Sequence, residues 1–213
     1  VIPTFPSSPH NRPTFIGRDF AAFMFDMDGT LLDSTAVVEK IWLAWAERHN
    51  VDSSKLLAGI HGVQSKDVIR RFGPSGVDLA GEEEALLNAE LAALDGVVAI
   101  AGANEFIARL DPSAWAVVTS APRALAEARM RAVGLPPPPL LIAAEDVEKG
   151  KPDPEGFLKA ASMLGVPIGD CLIFEDSEAG IQAARAAGAS FVAIGGHTQA
   201  GDALASIADY SSL

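Results

Sequence analysis

The sequence predicts an α/β protein: an open parallel sheet with helices on both faces, and an all-helical cap inserted after its first strand. Three observations carry this reading. Short apolar runs recur at residues 20–25, 115–118, 140–143, 172–174 and 191–194. Runs that short, bounded by Asp, Gly or Pro, read as buried strands. Helical stretches at 103–110, 124–133, 154–164 and 179–187 alternate with them, which is the pattern of a parallel sheet covered on both sides. Residues 34–95 break the alternation, offering amphipathic segments without a convincing strand.

Residues 1–18 hold four prolines and lack an apolar period, so they read as a loose tail or one laid over the surface. The first strand, 20–25, stops abruptly at Asp26. Beyond it, Val37, Val38, Ile41, Trp42 and Trp45 mark one helical face. Leu56 and Leu57, then Val68, Ile69 and Phe72, then Leu86, Leu87, Leu91 and Leu94 mark three more. A parallel crossover needs about a dozen residues, and this interval has about sixty. It reads as a helical subdomain hinged near 32–34 and 95–101 and placed over the sheet edge. Trp42 and Trp45 lie three apart on one face and read as its core, with a sugar platform as the alternative. Gly134 and Gly188 follow two later helices where a residue tolerating positive φ is wanted. The expected organisation is a proline-rich tail at 1–18, a Rossmann-like core at 19–33 and 96–213, and a cap at 34–95.

The 213 residues are 49% hydrophobic, enough for one core and a smaller insert without disulfides. Sixteen Lys and Arg against 28 Asp and Glu give a net charge of -12, the opposite of a nucleic-acid binder. A lone Cys171 suits a reducing compartment. The apolar runs all fall short of the roughly 18 to 20 residues that cross a bilayer, and a basic-then-apolar leader is not read. A small-molecule partner and a cytoplasmic location are expected, with no nucleic acid and no membrane. A monomer is expected, with a dimer as the alternative.

Four polar clusters follow predicted strands, where open parallel sheets place their sites. The first is Phe25-Asp26-Met27-Asp28-Gly29-Thr30, with two carboxylates two apart. The second, Thr119-Ser120, offers hydroxyls that either cap a helix or receive a phosphate oxygen. The third sets Lys151 between Gly150 and Pro152. The fourth, Glu175-Asp176-Ser177, is a second acidic pair opening a helix. Like charges side by side are costly unless a cation compensates. Carboxylates from two loops suit a hard cation such as Mg²⁺. Lys151 and that cation would neutralise a phosphoryl group, Thr119 could donate to it, and one Asp remains free to attack.

All four clusters together, in this order, resemble the haloacid dehalogenase-like hydrolase superfamily, whose signature opens Asp-x-Asp-Gly-Thr at the end of the first core strand. The resemblance covers about residues 20–195. The insert resembles the small helical cap of the β-phosphoglucomutase-like subgroup. Within it, Ile60-His61-Gly62 and Val118-Thr119-Ser120 look most like sugar-phosphate and polyol-phosphate phosphatases. The resemblance implies Asp26 as a nucleophile forming an aspartyl-phosphate and also binding Mg²⁺. It implies Asp28 as acid–base group, its carbonyl on the metal. Thr119 and Lys151 would hold the phosphoryl group, with Asp176 as metal ligand and Glu175 as a nearby second acid. Ser120, His61, Gln64, Lys66 and Arg123 are candidate substrate contacts.

The rival readings are a phosphomutase, a nucleotidase or phosphoglycolate phosphatase, and a non-catalytic binding protein on the same fold. Mutases of the subgroup carry a histidine five residues after the last Asp of the first motif. Here that position, counted from Asp33, is Val38. They also carry an arginine just after the cap-loop glycine, whereas Gly62-Val63-Gln64-Ser65 has none and only Lys66 could substitute. The expected function is therefore Mg²⁺-dependent hydrolysis of a small sugar or polyol phosphate.

Overall fold

The computed structural model describes residues 12–196 and 201–213. The strands begin with a two-stranded ribbon, β1 (Thr14–Phe15) and β2 (Arg18–Asp19), then β3 (Ala22–Phe25) and β4 (Leu32–Asp33). After the cap come β5 (Val98–Ala99), β6 (Trp115–Val118), β7 (Leu141–Ile142), β8 (Cys171–Glu175), β9 (Ser190–Ile194) and β10 (Ala205–Ile207). The main sheet is parallel, in the order β10-β9-β8-β3-β6-β7.

Strand alternation divides the core by side-chain size. Phe23 and Phe25 of β3 face one side, where Phe174 of β8 stacks on Phe25 with ring centroids 4.7 Å apart. Ala22 and Met24 face the other, among Ala116, Ile173 and Phe157. Both faces are covered, as parallel sheets require. Helices α5 (Ala103–Ala108) and α6 (Arg123–Ala132) lie on the aromatic side. Helices α7 (Glu155–Leu164) and α8 (Glu178–Ala187) lie on the small-residue side. Gly188 ends α8 in the left-handed conformation.

The cap consists of α1 (Thr35–His49), α2 (Ser53–Leu57), α3 (Ser65–Phe72) and α4 (Leu79–Leu91). It has its own apolar core of Trp42, Trp45, Ala46, Leu56, Ile60, Val68, Ile69 and Leu86. Trp45 also donates from Nε1 to Glu82 Oε2 at 3.0 Å, which satisfies its one polar atom. The chain enters and leaves the cap side by side. β4 pairs antiparallel with β5, Leu32 opposite Ala99 and Asp33 opposite Val98.

Three features add to the sequence reading. Phe15, in the stretch expected to be a loose tail or one laid over the surface, is buried edge-on against Phe174. The tail's first 11 residues lie outside the described part. The edge strand β10 has no apolar run to announce it, because Ala205–Ile207 is only half-buried. Tyr210 just beyond it is buried against Phe106, ring centroids 5.2 Å apart. Among the described residues, no helix is long and apolar enough to cross a membrane.

Removal of the largest cap side chain tests this packing. Trp45→Ala should cost about 3–5 kcal/mol, the range for a buried aromatic truncated to Ala. Urea unfolding checks it, and a loss under about 1 kcal/mol would mean that Trp45 does not anchor the cap core.

Candidate active site

The register of β3 assembles the site. Phe25 lies opposite Val117 of β6 and Phe174 of β8, so the residues that follow each strand emerge together. Asp26 is the first residue past β3, and its backbone N–H still bonds Phe174 O at 3.0 Å. Its carboxylate Oδ1 is tightly hydrogen-bonded to Lys151 Nζ. Lys151 also donates to Glu175 Oε1 at 2.6 Å, and all three residues are buried.

One ammonium thus serves several carboxylates. Burial pushes the Asp26 carboxyl well above its usual range. Lys151 pulls it down, while Glu175 and Asp176 push it up again. Asp176 is pushed up to about 8, by burial first and by Glu175 second. Burial alone would lower Lys151, yet Asp26 and Glu175 outweigh it and raise the ammonium.

Gly29 lets the two acidic motifs meet. Its φ is +86°, and a Cβ there would lie 2.1 Å from Asp176 Oδ2, so any larger residue would displace that carboxylate. Thr30 donates to Asp176 Oδ1 at 3.3 Å. Oxygens of Asp26, Glu175 and Asp176 lie within 4.8 Å of one another. An all-oxygen set with surplus negative charge fits a hard divalent cation. Glu175 is held on both oxygens. Its Oε1 takes Lys151, and its Oε2 accepts from Ser177 N at 2.9 Å and Ser177 Oγ at 3.0 Å.

Asp28 stands apart from this trio. Its Oδ1 accepts from Ser34 Oγ at 2.7 Å and from Arg129 Nη1 at 2.9 Å. Arg129, on α6, donates its Nη2 to Glu90 Oε2 of cap helix α4 at 2.9 Å. Burial raises the Glu90 carboxyl, with Arg129 opposing. Asp26, Asp28, Thr119, Ser120, Arg129 and Asp176 line one cavity between core and cap, of about 90 Å³. Glu90 and Arg129 are site residues that motif reading misses. A signal existed: Arg129 shares the buried stripe of Leu125, Ala126 and Met130, and Glu90 follows the buried Leu86 by four.

The remaining candidates divide. Thr119 is buried, and its Oγ1 accepts from Ala121 N at 3.1 Å. Ser120 donates to Gly62 O at 2.8 Å, tying the cap loop to the core. His61 lines the cavity but is half-exposed, 3.5 Å from Glu39. Gln64 is buried between cap and core, donating to Ala144 O at 3.3 Å. Gln64 and Lys66 line an adjoining chamber of about 340 Å³. Arg123 does not line the cavity; it bonds Asp146 at 2.5 Å and Leu141 O at 3.1 Å. Of the cap tryptophans, Trp42 reaches the cavity wall while still packed in the cap core.

The pattern of the family described as "Hydrolase: haloacid dehalogenase-like hydrolase" matches residues 20–188. The chain belongs to this family. Hexitol phosphatase A of Escherichia coli K12 is 39% identical over 176 residues, covering 81% of this chain and 82% of that protein. The 2-deoxyglucose-6-phosphate phosphatase 1 of Saccharomyces cerevisiae is 34% identical over 194 residues, covering 80% and 78%. Among solved structures, a hydrolase from Pseudomonas syringae superposes with a TM-score of 0.79 at 25% identity, covering 90% of this chain and 94% of that one. No single subgroup of these haloacid dehalogenase-like hydrolases dominates the matches. The acidic cluster at the strand ends is consistent with phosphoric monoester hydrolysis in this hydrolase fold.

The shared ammonium makes a stability prediction for the metal-free protein. Lys151→Met leaves Asp26 and Glu175 buried without their cation and should cost about 3–5 kcal/mol, as when one partner of a buried ion pair is removed. Asp26→Asn, which removes one of the crowded negative charges, should be near neutral or stabilising. Urea unfolding of both variants in chelator decides. Equal losses would show that charge crowding does not govern this site.

Proposed function

We propose that the protein is a Mg²⁺-dependent phosphatase that releases inorganic phosphate from a small sugar or polyol phosphate. The observation that carries this is the charge of the walls around the leaving group. The one Arg lining the inner cavity, Arg129, is already bonded to both Asp28 and Glu90. The adjoining chamber is lined by Glu83, Glu84, Glu90 and Glu145 against a single Lys66. A second phosphate or a carboxylate would meet acids there, whereas hydroxyl groups find acceptors. Val38, at the position where the related mutases carry histidine, lines the cavity with an aliphatic side chain. The hexitol and deoxyglucose phosphate phosphatases among its relatives point the same way.

The roles follow from position. Asp26 attacks phosphorus with a carboxylate oxygen, forming the O–P bond of an aspartyl-phosphate as the bond to the leaving oxygen breaks. Asp28 is the acid that gives a proton to that leaving oxygen. It then takes a proton from the water that attacks the aspartyl-phosphate, releasing phosphate and restoring Asp26. Lys151 and the Thr119 hydroxyl hold the phosphoryl oxygens. Asp26 and Asp176, with the Asp28 carbonyl, would hold Mg²⁺, which would supply positive charge to the phosphoryl group. The cap excludes water and contacts the leaving group. Single, buried Cys171 suits a reducing cytoplasm.

A panel of hexose, hexitol and glycerol phosphates, nucleoside monophosphates, phosphoglycolate and a hexose bisphosphate tests the reading through phosphate release. Monophosphates of uncharged sugars and polyols should lead phosphoglycolate and the bisphosphate, which carry a second anionic group, by about tenfold or more in kcat/KM, about 1.4 kcal/mol of like-charge repulsion. Activity should vanish in chelator and return with Mg²⁺, and Asp26→Asn should release none. An isomeric sugar phosphate formed without free phosphate would make the protein a mutase. Preference for phosphoglycolate would overturn the substrate class.

A further inference from the structure

Both arms of the cap are wired to one oxygen of Asp28. Ser34, whose Oγ donates to Asp28 Oδ1 at 2.7 Å, is the residue from which the first cap helix α1 starts. Arg129, whose Nη1 donates to the same Oδ1 at 2.9 Å, is bonded by Nη2 to Glu90 in the last turn of the final cap helix α4. Among the described residues Asp28 Oδ2 makes no hydrogen bond, which leaves one carboxylate oxygen held and the other available to the cavity. Arg129 and Glu90 are only 3% and 7% exposed, so parting them would strand the Glu90 carboxylate in a poorly hydrated place. A purely adhesive ion pair would not need to run through the acid–base group.

We propose that Glu90 and Arg129 are positioning residues for proton transfer, coupling the seating of the cap to the orientation of the Asp28 carboxylate. The inference rests on the phosphatase reading for the role of Asp28. With α4 seated, Glu90 fixes the guanidinium, and Arg129 and Ser34 hold Oδ1 so that Oδ2 faces the reacting oxygens. With α4 displaced, Arg129 loses its outer partner and Asp28 loses its fixed angle. Glu90 therefore differs from His61 and Lys66, whose changes should only rerank leaving groups.

The test compares two substrates in Mg²⁺ with the full chain: p-nitrophenyl phosphate, whose leaving group departs without a proton, and glycerol 1-phosphate, whose alkoxide needs one. In Glu90→Gln, kcat for glycerol phosphate should fall about ten- to a hundredfold, a part of the full acid–base contribution, with KM within about twofold. With p-nitrophenyl phosphate the same variant should release one equivalent of nitrophenolate rapidly and then turn over slowly, because only hydrolysis of the aspartyl-phosphate needs the base. Arg129→Lys, which keeps a cation, should retain more activity than Arg129→Met. Thermal melting reports whether each variant is folded, and Ser34→Ala repeats the burst measurement if Glu90→Gln is not.

Equal fractional losses on both substrates without a burst would overturn the proposal and leave Glu90–Arg129 as a structural clamp. Unchanged kcat on both would overturn it as well. The wild-type panel separately tests the substrate class, so a burst in Glu90→Gln stands even if sugar and polyol phosphates prove poor substrates.

Discussion

Everything at the strand ends depends on one crowded charge arrangement. Asp26, Glu175 and Asp176 converge because the central strand and its neighbour are in register, and Lys151 is the ammonium buried among them. Buried carboxylates this close cannot all stay ionised without compensation. The upward pressure on Asp26 and Asp176 is the sign of what is still owed. The same pressure makes the site receptive to a hard cation. Stability without metal and the capacity to take one therefore have a common origin. Gly29 and Gly180 belong to this arrangement, since a Cβ at Gly180 would lie 1.7 Å from Glu175 Oε1.

The cap meets the core through Val37, Leu87 and Leu91, which pack against the aromatic side of the sheet, and through a set of polar links. Its own core is closed around Trp42 and Trp45. Ser120 bonds Gly62, Gln64 bonds Ala144, and Glu90 bonds Arg129. Gly62, at φ +73°, approaches so near that a Cβ would sit 2.2 Å from Ser177 Oγ. Directional links of this kind can be broken and remade at modest cost, each worth about 1 kcal/mol net when neutral. The buried Glu90–Arg129 pair is the costly exception, and it lies beside Asp28. With a core of its own and a two-stranded ribbon as its root, the cap has the build of an insert that can move as a unit.

How much of this was legible in the sequence follows from range. The sheet strands were plain because each is a fully buried run, as at Trp115–Val118 and Cys171–Glu175. The acids and hydroxyls were plain because each stands where such a run ends, and Lys151 because Gly150 and Pro152 frame it. The β10 edge was not, since a half-buried Ala-Ser-Ile carries no apolar signature. Nor was Arg129, which reaches Asp28 across 101 residues and Glu90 across 39. No local pattern announces such a pairing. What the chain does display is a charge at a stripe position on α6 and another on α4. A buried charge of one sign asks for its complement elsewhere. Arg123 misleads for the converse reason: it sits nearer the hydroxyl motif in sequence, but Asp146 draws it away from the cavity.

A chain of net charge -12 that takes an anionic substrate needs its attraction to be local. At physiological salt, exposed charges are felt over only about 8 Å, so the surface acids do little beyond the rim. Inside the cavity, screening fails and every group counts. Under the proposed function the phosphoryl end would meet Lys151 and the acidic cluster that would take a cation, whereas the far end would meet Glu83, Glu84, Glu90 and Glu145. The one buried guanidinium that could have answered a second anion is spent on Asp28 and Glu90. The arrangement that would orient the proton transfer thus also removes the cation that a bisphosphate or an acid would seek. The proposed selectivity for a phosphate on an uncharged, hydroxylated partner would then follow from how charge is distributed in the cavity, without a shape-specific contact to each hydroxyl.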